Sequence, residues 1–237
     1  MHNKSVVIIF LVMALVNTSC LTMIRRSNDA GKLIKEYKHV AVFPSFTEIE
    51  KRRFSGRNER LSELETQISI EFDTAITKLF KDSAFYTTLA KVEENDLKFE
   101  LNYISEEIDK YLYLMYKKDV FIPINSNVID FSVGHKVNLF ADKFESDILV
   151  FSKIYGYNNT FSEQLKNIFK GMIFTLFSGN VAYLYSYNRG GIITTIVIDG
   201  NSGNIIFVNK KNVVGNFKEK KVQRKVKNSF KRLFVEY

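Results

Sequence analysis

The chain has 237 residues, 34 basic against 26 acidic, and is 46% hydrophobic with 21 Phe, 12 Tyr, 2 Pro and no Trp. That is enough apolar material for one packed domain and too much for a disordered chain. A single cysteine excludes a disulfide framework, a zinc ribbon and a dithiol redox pair, and three histidines are thin material for metal or relay chemistry.

The N-terminus places Lys4 ahead of the apolar run Val6 to Val16, then Asn17-Thr18-Ser19 and Cys20. This is the anatomy of a bacterial lipoprotein signal. The apolar stretch is too short to span a bilayer stably, Ser19 is small enough for a peptidase pocket, and cleavage leaves Cys20 as a lipidated N-terminus. Leu21 follows the cysteine rather than Asp, which favours the outer membrane. Residues 1–19 are read as signal peptide, 20–37 as a tether and 38–237 as one domain. Removing residues 1–19 takes away Lys4 and no acid, so 34 basic residues become 33 against 26 acidic.

Beyond the tether, His39-Val40-Ala41-Val42-Phe43 stopped by Pro44 reads as a strand buried on both faces. Ser45 to Asn58, with Arg52, Arg53 and Arg57, reads as a long loop. Leu61, Leu64, Ile68, Phe72, Ala75, Ile76 and Leu79 recur at three and four residues and predict a helix of about five turns. Phe85 to Val92 reads as a second strand, and Asp96 to about Lys117 as a second helix, broken by Phe121-Ile122-Pro123. A shorter helix follows over Val133 to Phe144. His39 starts the first strand and His135 stands near the start of that short helix, where structural use of histidine outweighs a chemical one.

Asp147 to Tyr155 predicts a central strand, and Ile192–Ile198 with Asn204–Asn209 predict a hairpin around Asp199-Gly200-Asn201-Ser202-Gly203. Between them, Phe161–Phe177 reads as a helix and Val181–Tyr187 as a strand; the aromatic surplus of 168–187 leaves bilayer or subunit contact as the alternative. Phe217 to Phe234 closes the chain as a helix with Val222, Val226, Phe230 and Leu233 inward. The expected class is α/β (α+β): a single domain with a mixed central sheet flanked by helices, ending in a hairpin and an amphipathic helix.

Three segments carry a resemblance: His39-Val40-Ala41-Val42-Phe43-Pro44, Ser146-Asp147-Ile148-Leu149-Val150, and Ile198 through Ile206. They resemble the opening strand, the entry to the central strand and the hairpin of a group of bacterial envelope lipoproteins that includes the curli secretion lipoprotein family and the penicillin-binding-protein activator family. Ser146 stands where Ala is frequent in that group, and Ser202-Gly203 where Thr-Gly is usual. The resemblance implies a lipid-anchored domain that binds other proteins or oligomerises, with no catalytic residues to transfer.

Glu93-Glu94 and Glu106-Glu107 lie among lysines and read as solvated surface, and Gly190-Gly191 precedes a strand, which a phosphate-cradling loop does not. The functional signal with most charge is the tail helix, where Lys218, Lys221, Arg224, Lys225, Lys231 and Arg232 form a candidate partner or membrane contact. Export conflicts with a nucleic-acid role, and no cofactor or metal is expected. The expectation is a periplasm-facing, lipid-anchored accessory protein of an envelope assembly acting by recruitment, with a subunit of an oligomeric secretion or transport complex as the alternative.

Overall fold

The computed structural model describes residues 22–51, 58–116, 129–159, 169, 189–214 and 219–234. Among these, β1 (Thr22–Arg26), α1 (Ala30–Glu36), β2 (His39–Val42), β3 (Phe46–Lys51) and β4 (Glu59–Arg60) precede the long α2 (Ser62–Asp82). There follow β5 (Tyr86–Leu89), α3 (Asn95–Tyr116), α4 (Lys136–Lys143), β6 (Ile148–Asn158), β7 (Arg189–Asp199), β8 (Ile205–Val214) and α5 (Glu219–Phe230). The strands form one mixed sheet in the order β1-β8-β7-β6-β2-β5, with β3 continuing beside β6 beyond β2, and β4 on β3. β2 is parallel to β5 and β6, and β3 is parallel to β6; the pairs β6–β7, β7–β8, β1–β8 and β3–β4 are antiparallel. The expected class, and the central place of β6, are what the structure shows.

Connection handedness explains the layering. The chain moves outward from β2 to β5 through α2, then back from β5 to β6 through α3 and α4. Right-handed crossovers in opposite directions put their helices on opposite faces. Alternation along the strands serves both layers: Val40, Val42, Ile148 and Val150 pack under α2 and α5, whereas Ala41, Phe43, Leu149 and Phe151 pack under α3 and α4. In the first layer Phe80 meets Phe85, Phe230 and Phe234 with ring centroids 5.4–5.6 Å apart, tying α2 to β5 and α5.

Between Val197 and Ile198 the β7–β8 register shifts, so Val197 faces Phe207 and Ile198 faces Ile205. The extra residue, Ile206, joins Phe207 in the α2/α5 core while Ile205 and Val208 go to the other. The hairpin turn depends on Gly203, at φ +72°, where a Cβ would stand 2.4 Å from the Gly134 carbonyl oxygen.

Two segments differ from expectation. The stretch read as a tether contains β1, paired antiparallel with β8 from Thr22↔Lys211 to Arg26↔Phe207, and α1, whose Ala30 is fully buried. Thr-Met-Ile-Arg-Arg has too little apolar periodicity to announce a strand; pairing to β8 decides it. The stretch read as a loop over 45–58 contains β3, and β4 follows directly after it. β3 carries two glutamates and only Ile49 as a deeply buried anchor, so its alternation is masked by charge.

The break between β2 and β3 is built around Asp73 of α2. Pro44 has no amide hydrogen. Ser45 N–H donates to Asp73 Oδ1 at 3.0 Å, the Ser45 hydroxyl donates to the same oxygen, and Ser69 Oγ donates to the Ser45 carbonyl at 3.0 Å. Burial raises the Asp73 pKa against the opposing pull of the hydrogen bonds from Ser45 and from Ser69 Oγ, which lies 3.5 Å from Asp73 Oδ2. The expected helix and strand in 161–187 fall outside the described residues, apart from Phe169, which is exposed.

Candidate functional site

α5 is amphipathic because Val222, Val226, Phe230 and Leu233 recur at four, four and three residues; each is essentially fully buried. Ser229 is buried with them, its carbonyl accepting from Asn209 Nδ2 at 2.5 Å, so the helix is pinned to β8 by a polar contact as well as by packing. The opposite side exposes Lys221, Arg224, Lys227, Lys231 and Arg232. From Lys221 to Arg232 the chain holds six cations and no carboxylate. No ion pair joins these exposed cations to a described residue.

Of the six cations proposed as a contact, the structure brings Lys221, Arg224, Lys231 and Arg232 onto one exposed face. Lys225 sits apart from them: three residues from Val222 and four from Ser229, it stands on the shoulder of the apolar stripe and is half-buried. Burial, then the neighbouring charge of Lys221, lowers its pKa to about 8. Lys218 and Cys20 lie outside the described residues.

A second feature lies on the opposite face of the sheet, a cleft of about 310 Å³ lined by Asp109, Leu112 and Tyr113 of α3, Lys153 and Tyr155 of β6, Ile192 and Thr194 of β7, and Lys210 of β8. Strand register sets Lys153 opposite Thr194 and Thr194 opposite Lys210. Lys153 is buried, pairs with Asp109 at 2.6 Å and donates to Ser105 Oγ at 3.0 Å. Burial lowers the Lys210 pKa; burial, then Asp109 and Glu48, raises that of Tyr155. This arrangement can hold a polar ligand by hydrogen bonds, but it places no base beside a nucleophile. Sequence reading missed it, although a lysine inside the apolar run of β6, with Ser105 and Asp109 four apart on α3, was the available signal.

At the other end of the sheet, the segments that carried the resemblance make structural contacts. Asp147 Oδ2 accepts the backbone amides of Lys38 and His39, each at 2.9 Å, and lies 3.6 Å from His39 Nδ1. Asp199 accepts from the Tyr37 hydroxyl at 3.0 Å, from Asn201 N–H at 3.0 Å and from the Ser202 hydroxyl at 2.5 Å, closing the hairpin turn. His39 stacks on Tyr86 with centroids 5.2 Å apart, while His135 is the N-cap residue of α4. Glu94 pairs with Lys143, and Glu107 with Lys110 at 3.5 Å. Gly191 lies inside β7, where a Cβ would meet the Tyr155 carbonyl at 2.1 Å, so close strand packing accounts for it. Among the described residues no three His, Cys, Asp or Glu side chains gather as a metal site, and no helix is long and apolar enough to cross a membrane.

No family model and no curated protein matches the chain. Among solved structures it is similar to the PelC dodecamer from Paraburkholderia phytofirmans, at 7% identity and TM-score 0.43, over 92% of this chain and 100% of that one. It is also similar to a point variant of that dodecamer, at 8% identity and TM-score 0.39, over 91% of this chain and 100% of that one. At TM-scores of this size the likeness contributes nothing on function, which has to be read from the chain's own residues.

Proposed function

We propose that this chain is a lipid-anchored, periplasm-facing accessory protein of an envelope assembly, attached through Cys20 and acting by binding rather than by catalysis. The observation that carries the reading is the position of Cys20. It ends the leader that begins with Lys4 and Val6–Val16, and it stands two residues before Thr22, where β1 enters the sheet. An attachment site belongs at that boundary between apolar leader and folded body. The outer membrane, facing the periplasm, is the proposed location. The resemblance to envelope lipoproteins points the same way.

The mechanism is recruitment. Anchoring confines the domain to a surface layer and raises its effective concentration for any partner in that layer, so a modest interface suffices. The basic face of α5 and the edge at β5, which among the described residues pairs only with β2, are the surfaces proposed for it. Tyr86 and Leu89 of β5, exposed to 71% and 45%, favour a second reading, a subunit of an oligomeric secretion or transport complex joined through that edge.

The test compares intact mass and membrane partition of the full chain with those of Cys20→Ala. Acylation at Cys20, and release of the variant from membranes, is the expected result. An unmodified chain found in solution overturns the proposal, and a ring seen in detergent extracts selects the oligomeric reading.

A further inference from the structure

α5 differs from the other long helices in the sign of its charge. α2 and α3 each carry five carboxylates and two lysines, whereas α5 carries five cations and a single acid at its first residue. α2 packs in the same layer as α5 and α3 on the opposite face of the sheet, both with an excess of acid, so the positive charge is a patch confined to α5 and not a property of a whole face. Such a patch is attracted locally to an anionic surface.

The fold also starts that face at the end of the sheet where β1 begins. Thr22 lies opposite Lys211, three residues before β8 ends at Val214, and α5 begins after four further residues. α5 then runs back along β8, since Phe230 stacks on Phe207, which faces Arg26 at the far end of β1. The start of β1 and the first turn of α5 therefore share one end of the sheet. From Cys20 to Thr22 the backbone extends no more than about 7 Å.

We infer that the exposed face of α5 and of the turn that follows it, with Lys221, Arg224, Lys227, Lys231 and Arg232, docks on anionic phospholipid headgroups of the membrane in which the chain is anchored. The inference rests on the Cys20 reading for how the face is delivered, but the charge chemistry stands apart from it. Cations spaced three or four residues apart from Lys221 to Lys231, with no carboxylate among them, meet phosphates along about three turns' length of chain. Val222, Val226, Phe230 and Leu233 remain in the core, so docking is electrostatic and reversible by salt. It would fix the orientation of the domain on the bilayer and leave α3, the cleft and the β5 edge turned toward the periplasm.

The test is lysine acetylation footprinting of the full chain on phosphatidylcholine vesicles, with and without about 30 mol % phosphatidylglycerol. At about 1 kcal/mol per cation, Lys221, Lys227 and Lys231 should react about fivefold more slowly on the anionic vesicles and recover in about 0.5 M salt. Lys110, exposed on α3, should be unaffected. Arg224→Gln with Arg232→Gln should abolish the protection, and Arg224→Lys with Arg232→Lys should retain it. Equal reactivity on both vesicles, or equal protection of Lys110, overturns the docking and leaves an acidic protein surface as the occupant to seek. Co-flotation with phosphatidylcholine vesicles reports the anchor separately. If it fails while protection on anionic vesicles persists, the Cys20 reading falls and the docking stands; if it succeeds without protection, the docking falls alone.

Discussion

Replacing Lys225 by Met should stabilise the domain at neutral pH. The ammonium sits on the shoulder of the apolar stripe of α5, and burial with the like charge of Lys221 lowers its pKa from 10.5 to about 8. A gap of about 2.5 pH units corresponds to at most about 3 kcal/mol. Because part of the side chain remains in water, solvent screening reduces the expected gain to about 1–2 kcal/mol. Met keeps the length and most of the apolar stem while removing the charge. The unfolded chain holds this proton up to about pH 10.5, and the folded chain releases it near 8, so between these values the unfolded state binds more protons and wild-type stability rises with pH. The penalty is fully present below pH 8 and gone above 10.5. Urea titrations of both proteins at pH 7 and pH 10.5 should therefore show Lys225→Met ahead at the lower pH and level at the higher. An advantage independent of pH, or a loss at pH 7, would refute the argument that desolvation of the ammonium governs this site.

Two further outcomes concern the core. Phe80→Ala removes a fully buried ring from contact with Phe85, Phe230 and Phe234, and should cost about 3–5 kcal/mol in urea unfolding; a loss below about 1.5 would mean that the α2–β5–α5 cluster does not hold these elements together. Asp73→Asn tests the β2–β3 break. Burial raises the folded pKa of Asp73 above 3.8, so the folded state binds more protons in that window and wild-type stability should fall relative to the Asn variant as pH rises through it. A wild-type protein that instead gains on the variant over the same window would show that the Ser45 and Ser69 hydrogen bonds outweigh desolvation.

The strongest elements were legible because each is a local pattern. The three- and four-residue spacing of Ile68, Phe72, Ala75 and Ile76, and of Val222, Val226 and Phe230, specifies a helix with one buried face wherever that face finds a partner. The glycine and Asx residues of 199–203 specify a tight reversal between two apolar runs in the same way. The charge pattern of the last helix is equally local, so the exposure of Lys221, Arg224, Lys231 and Arg232 follows from their spacing against Val222, Val226 and Phe230.

What the chain order alone could not decide was settled by pairing across distance. Thr22–Arg26 and Phe46–Lys51 are too polar to declare themselves as strands, and they become so because β8 and β6 offer open edges in register. Lys153 meets Asp109, 44 positions away in the chain, only once α3 has crossed the sheet. The half-burial of Lys225 depends on the rotation of α5 against β7 and β8. A helical period assigns a residue to a face, but the width of the buried stripe is set by the surface it lands on, and that surface exists only in the folded molecule.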